Sequence, residues 1–242
     1  MFDEWPDRLV TISSGFYMGR FPVTQGEWYY VMRPHLNPND VNPSYFTGAR
    51  VAAGVDWRNL PVEQVSWYDA IEFTYRMSRL AGLEPWGRIN GIGADRTVTW
   101  NWYANGYRLP TEAEWEFTAR AGSTGLWSFS GGRYVAYRYA WYGINSQGRT
   151  HEVGGRRPNA WGLYDIHGNV WEWVYDWYGP YPSEPQRDPR GVPDGIYRVL
   201  RGGAWNSTPV YPNLMRPAIR GWHLPTRIGY NYGFRLVRPV NE

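Results

Sequence analysis

The chain is expected to fold as one α+β domain in which turns and compact loops outweigh regular elements. Three observations carry that expectation. Glycine and proline number 28 and 19 among 242 residues, and the mean hydropathy is −0.59. Such a composition favours turns over a helical bundle or a doubly wound sheet. Aromatic residues make up 18% of the chain, with 16 Trp and 20 Tyr, so the core is built of rings whose N–H and O–H groups need partners. Finally, three stretches read as short capped helices and several as short strands, with nothing resembling a linker between them, so residues 1-242 form a single unit.

In chain order, 9–12 and 15–20 read as two short strands around a turn. Thr24 caps a helix running through Tyr30, Val31 and Met32, with Glu27 as its capping-box partner. Residues 37–54, rich in Asn, Pro and Gly, are a loop. Ser66 or Asp69 caps the clearest amphipathic helix, which carries Ile71, Tyr75, Met77 and Leu80 before Gly82 stops it. A strand is expected at 98–103. Thr111 then caps a third helix with Glu114 three positions on, and the acids Glu112, Glu114 and Glu116 suit its positive end. Residues 122–157 are loop, 163–174 a turn and a strand, and 198–205 and 233–237 two further strands. About 27 residues between those last two show no clean period, which in a compact domain points to a functional loop.

Charge excludes several classes. The net charge is +3 and the pI about 9.0, and all 25 cationic side chains are Arg. They are scattered among 22 acids with no basic run that could track phosphates, so no nucleic-acid partner is expected. Absence of cysteine removes disulfides, thiolate metal sites and thiol catalysis together. No apolar run reaches the length of a membrane span, so no direct membrane insertion is expected, and Met1-Phe2-Asp3-Glu4 does not read as a signal peptide.

Four long motifs occur in order: Arg108-Leu109-Pro110-Thr111-Glu112-Ala113-Glu114-Trp115-Glu116, the run from Gly162 to Trp173, Arg201-Gly202-Gly203-Ala204-Trp205, and Gly233-Phe234-Arg235. With Phe21-Pro22-Val23-Thr24-Gln25 and the run from Pro61 to Ala70, they make the chain resemble the formylglycine-generating, sulfatase-modifying family over nearly its whole length. The resemblance implies a C-type-lectin-like fold of low regular content. Its oxidases use a cysteine pair, between the third and fourth motifs, to bind copper and activate oxygen. Related sulfoxide synthases hold iron with a His-x3-His-x-Glu cluster. Here there is no cysteine, and His35, His151, His167 and His223 never show that spacing. Neither copper nor iron is expected, and the chain is not expected to be an enzyme.

The resemblance also implies a structural calcium ion held by Asp165, Gly168, Val170 and Glu172, where carboxylates at the ends of a turn and main-chain carbonyls between them suit a hard cation. Two readings stand side by side. The other has Asp165 capping a turn and Glu172 paired with a nearby Arg. His167 in the same turn reads as a packed histidine bonded to backbone rather than a catalytic one. Trp171, Trp173, Trp177 and Trp205 read mostly as core.

The segment 207–232 is chemically heterogeneous and short of Lys, Glu and Gln. Arg216, Ala218, Arg220 and Pro225 look like framework. The rest resembles the variable region, here 205–235, of proteins diversified by retroelements, a group that uses this lectin-like scaffold. Rewriting the adenines of Asn codons yields Ile, Gly, His, Leu, Thr, Arg, Tyr, Val, Ser, Pro and Asn, and nearly every residue from Ile219 to Tyr232 fits. Trp222 needs another parent codon. An ordinary polar loop with Gly, Thr, Asn and Tyr is the plain alternative. The expected ligand-binding residues are Val210, Tyr211, Asn213, Ile219, Gly221, Trp222, His223, Leu224, Thr226, Ile228, Gly229, Tyr230, Asn231 and Tyr232. Stiff aromatic anchors beside small adaptable polar residues suit a paratope. The expected function is therefore recognition of a protein or other macromolecular ligand, at a cell surface or outside the cell as the resemblance favours. The alternative is a catalytically inactive paralogue of the oxidases that acts as a partner or regulatory protein.

Overall fold

Thr24, Ser66 and Thr111 each stand in extended backbone and open a helix with a complete capping box. These helices are α1 (Gln25–Met32), α2 (Trp67–Leu80) and α3 (Glu112–Arg120), with Glu27, Asp69 and Glu114 as the reciprocal partners. Each box satisfies two N–H groups that the first turn leaves orphaned. The computed structural model describes residues 6–37, 41–207 and 215–240.

Twelve short strands follow in chain order: β1 (Val10–Thr11), β2 (Phe16–Met18), β3 (Gly87–Asn90), β4 (Thr97–Trp100), β5 (Ala140–Trp141), β6 (His167–Gly168), β7 (Trp171–Trp177), β8 (Gln186–Arg187), β9 (Arg198–Arg201), β10 (Arg220–His223), β11 (Tyr232–Phe234) and β12 (Val237–Pro239). The central sheet has the order β10-β9-β7-β11, with β11 parallel to β7 and the other pairs antiparallel. The remaining strands form two-stranded pairs, β1 with β8, β2 with β12, β3 with β4 and β5 with β6.

Successive side chains of a strand point to opposite faces, and here each face is buried by a different layer. Trp173 and Leu200 join Trp67, Ile71, Phe73, Val62 and Phe234 in the larger core cluster, under α1 and α2. Their neighbours Val174 and Val199 join Trp115, Ala119 and Ile166 under α3. All four residues of β9 are buried in consequence. The rings find the polar partners their N–H groups require: Trp67 Nε1 donates to Val174 O (2.9 Å), Trp173 Nε1 to Val65 O (3.0 Å) and Trp28 Nε1 to Val41 O (2.8 Å).

β1 and β2 lie where two short strands around a turn are expected, and each takes a distant partner, with Asp188 beyond β8 accepting from both the amide and the hydroxyl of Ser13. Two expectations are corrected here. The strand expected over 233–237 is split, because the chain bends at Arg235 to send its guanidinium inward, leaving β11 and β12 in different sheets. The aperiodic span before it contains β10, whose Gly221 is a weak strand former and whose burial does not alternate cleanly.

Candidate functional site

The four motifs meet as halves of buried ion pairs. Arg201, fully buried, donates to Glu112 (2.8 Å) and Glu116 (2.7 Å). Arg220 adds a two-pronged contact to Glu112 at 2.8 and 2.9 Å. Arg108 grips Glu114 at 2.7 and 2.6 Å. Arg235 grips Glu172 at 2.8 and 2.6 Å, and Trp115 Nε1 donates to the same carboxylate at 2.7 Å. Burial pushes Glu112 up, but Arg201 and Arg220 outweigh it and hold the carboxyl below its ordinary value. These acids therefore do more than favour a helix end: bidentate pairing fixes α3 to β9, β10 and the preceding turn.

That network bears on calcium. Asp165, at φ +55°, accepts from Gly154 N at 2.7 Å and from Asn169 Nδ2 at 3.3 Å, and burial pushes its carboxyl to about 6. Gly168 lies at φ +85° with its Cα against the Trp141 carbonyl, where a Cβ would come within 2.2 Å. Val170 is fully buried. Both Glu172 oxygens are engaged by Arg235 and Trp115. The four residues share one turn, but their carboxylates face protein donors and a guanidinium supplies the positive charge. Calcium needs six to eight oxygens; of the two carboxylates, Glu172 has both oxygens committed to Arg235 and Trp115, as the paired-Arg reading describes. Among the described residues no group of three or more His, Cys, Asp or Glu is placed to hold a metal. Treatment with EGTA is expected to move the thermal midpoint by less than about 2 °C; a larger fall that added calcium reverses would restore the ion.

His167 is buried, and burial pushes its imidazole down to about 4. Its Nδ1 lies 2.7 Å from Met215 O and its Nε2 2.7 Å from Ser128 Oγ. A carbonyl can only accept, so Nδ1 carries the proton and Nε2 accepts from the serine. Both nitrogens are engaged and the ring is 2% exposed, the surroundings of a packed histidine bonded to backbone.

The segment from β10 to β11 is fastened by its main chain. Trp67 N, in the first turn of α2, donates to Pro225 O (3.1 Å), Gln64 N to Gly229 O (2.9 Å) and Trp171 N to Asn231 O (2.8 Å). Within it, Arg227 N donates to Leu224 O (2.9 Å) and Tyr232 N to Gly229 O (3.0 Å). Trp205 Nε1 closes on Tyr230 O at 3.0 Å. Side chains are left outward: Trp222, Leu224, Ile228 and Tyr230 are 43–48% exposed, and Thr226 is exposed as well. Gly221, His223, Gly229, Asn231 and Tyr232 are half-buried. Ile219, expected on this surface, is instead 2% exposed, because it leads into β10 from the core side. Val210, Tyr211 and Asn213 lie outside the described residues.

Sequence reading missed the rings that extend this face. Tyr45 packs on Tyr230 at 5.9 Å, while Tyr197 and Tyr178 flank Trp222 at 4.4 and 5.6 Å. No local signal marks them, since they come from distant loops. Trp173 is core as expected, whereas Trp205 supports Tyr230 from below.

A twisted central sheet between helical layers, long ordered loops and a set of buried Arg–Glu pairs define a C-type-lectin-like domain of the sulfatase-modifying type. The chain belongs to the sulfatase-modifying factor enzyme 1-like domain family, whose model matches residues 2–240. It is 32% identical to Chaperone protein LppX of Paenibacillus barcinonensis over 97% of this chain and 84% of that protein. It is 38% identical over 186 residues to the formylglycine-generating enzyme of Streptomyces coelicolor, covering 64% of this chain and 59% of that enzyme. Among solved structures it superposes on Treponema denticola variable protein 1 with a TM-score of 0.83 and 34% identity, covering 93% of this chain and 84% of that one. The proteins it is similar to thus include an enzyme and a variable protein, and this chain has no cysteine.

Proposed function

We propose that this protein is a binding protein of the retroelement-diversified kind, which presents the side chains between Gly221 and Tyr232 to a protein or other macromolecular ligand at or beyond the cell surface. The observation that carries the reading is the main-chain fastening of that segment. Hydrogen bonds from Gln64, Trp67 and Trp171 reach carbonyls of Gly229, Pro225 and Asn231, groups that most substitutions leave unchanged. Trp222, Leu224, Ile228 and Tyr230 stand half-exposed above them, as rigid anchors of a paratope do. The likeness to a variable protein at 34% identity supports the same reading. The region where the oxidases of the family carry reactive thiols is occupied here by aromatic and small side chains. No helix among the described residues is long and apolar enough to cross a membrane.

Sequencing of the flanking DNA tests the diversification. A reverse transcriptase and a near-repeat of codons 205–235 with mismatches confined to template adenines are expected; mismatches spread over all four bases would sink the reading. A companion test needs no ligand. Joint replacement of Leu224, Thr226, Ile228 and Tyr230 by Ser is expected to change the unfolding free energy by less than about 2 kcal/mol. Loss of the cooperative transition would make the segment core.

A second reading, an inactive paralogue that acts as a partner protein, draws on LppX, named a chaperone and 32% identical over nearly the whole chain. Absence of any repeat in the flanking DNA would favour it. Under either reading, oxygen uptake with copper or iron and thiol peptides is expected to be nil.

A further inference from the structure

Most of the arginines that enter the core are matched to glutamates, but one shallow surface hollow is lined by guanidiniums and by no acidic side chain, the buried Asp165 carboxylate reaching it only through Gly154 N at 2.7 Å. It measures about 570 Å³ and is lined by Arg138, Gly154, Gly155, Arg156, Arg157 and Tyr164 together with Pro158. None of the three arginines takes part in an ion pair among the described residues. The cleft has a built frame. Arg157 N donates to Arg138 O at 2.8 Å, joining its two walls. The Arg156 guanidinium lies 3.6 Å from the centroid of Trp141, and His151 stacks parallel to the same indole at 3.7 Å. Arg138 Nε is steadied by the Tyr137 hydroxyl at 3.1 Å. Arg20 reaches the Tyr164 hydroxyl at 3.4 Å and adds a fourth positive charge beside the lining.

Trp141 Nε1 and Arg156 Nε are buried beside this space without a hydrogen-bond partner in the protein. Burial lowers the Arg156 pKa, and His151 is likewise held down, by burial first and then by the neighbouring arginines. Three like charges lining one space repel each other, and a ligand of opposite charge removes that cost. Planar guanidinium forks match tetrahedral oxyanions.

We infer that this cleft is an oxyanion site, which takes the phosphate or sulfate group of a small ligand or a modified side chain. It uses none of the residues of the β10–β11 surface and stands whether or not that surface binds a partner.

The test is calorimetric titration of the whole chain with sodium phosphate and sodium sulfate, against sodium chloride at matched ionic strength, followed by O-phosphoserine and tyrosine sulfate to separate the two sources. Saturable binding of at least one oxyanion is expected, with the preferred ester naming the source. Arg157→Gln and Arg138→Gln change exposed side chains and are expected to leave the fold intact while each weakens binding about tenfold. Arg156→Gln is expected to abolish binding, with thermal unfolding run alongside to show that the variant is folded. Heats no different from chloride, or binding unchanged in the Arg138→Gln/Arg157→Gln double variant, would overturn the site.

Discussion

Arg235→Gln is expected to destabilise the protein by about 3–5 kcal/mol, the usual result of leaving a buried charge without its partner. Glu172 is 1% exposed and draws three donors, two of them from this guanidinium. Arg235 also ties two distant loops, donating to Gly19 O and Tyr164 O at 2.9 Å each, so its loss opens three contacts at once. Urea denaturation measures the change. The double variant Arg235→Leu/Glu172→Leu separates charge from packing: recovery of part of the loss is expected, because the isolated carboxylate is gone. A single-variant effect under about 1 kcal/mol would mean that Glu172 is solvated or protonated, and the account of the motifs as ion-pair halves would fail.

Trp67→Ala is expected to cost a similar 3–5 kcal/mol, by a different route. Trp67 is fully buried at the head of α2, touches Trp100, Tyr68 and Trp177, and donates to Val174 O. Arg198 lies between its ring and that of Trp177, at 3.8 and 3.4 Å, and burial pulls that guanidinium down to about 9. Truncation therefore leaves a cavity, an unsatisfied carbonyl and a cation that has lost one of its two aromatic faces. The Trp67 main-chain amide that holds Pro225 O survives the substitution, so the loop that carries Leu224 and Thr226 is expected to keep that anchor in the same variant. Trp67→Phe, which keeps a ring but no N–H, is expected to fall between wild type and Ala. Equal stability of Ala and Phe variants by urea denaturation would show that ring packing contributes nothing here.

Local signals made the helices legible. Thr24, Ser66 and Thr111 with their partners three residues on give caps that the structure reproduces, because a capping box is complete within four residues. The ion pairs were not legible at that range. Arg201 and Glu112 are 89 residues apart and Arg235 and Glu172 are 63 apart, so the acids of α3 could be read only against their own helix, and Glu172 kept two meanings until its partner was located. Strand β10 was hidden for another reason: Gly221 sits where a Cβ would come within 3.1 Å of Trp171, so its residues are set by a neighbour rather than by alternation. Composition set the segment from 207 to 232 apart, but not its fastening, because main-chain donors such as Gln64 N and Trp171 N carry no residue signature. Ile219 shows the limit of composition: the same codon-compatible residue type serves the core at 219 and the surface at 228.

The pairing of β2 with β12 also sets how the molecule carries load. Phe16 lies opposite Pro239 and Met18 opposite Val237, with Val240 N bonded to Gly15 O outside this pair and Gly19 N to Leu236 O and Val23 N to Phe234 O inside it. In this antiparallel order the outer ends of both strands face the same way. Tension applied through residues 15 and 240 therefore peels the bonds one after another, from Gly15 inward to Val23, instead of loading them together in shear. The yielding element is a zipper at the rim, whose first bonds lie outside the sheet that supports the β10–β11 surface, while Arg108 holds Val237 from its other side through two main-chain bonds.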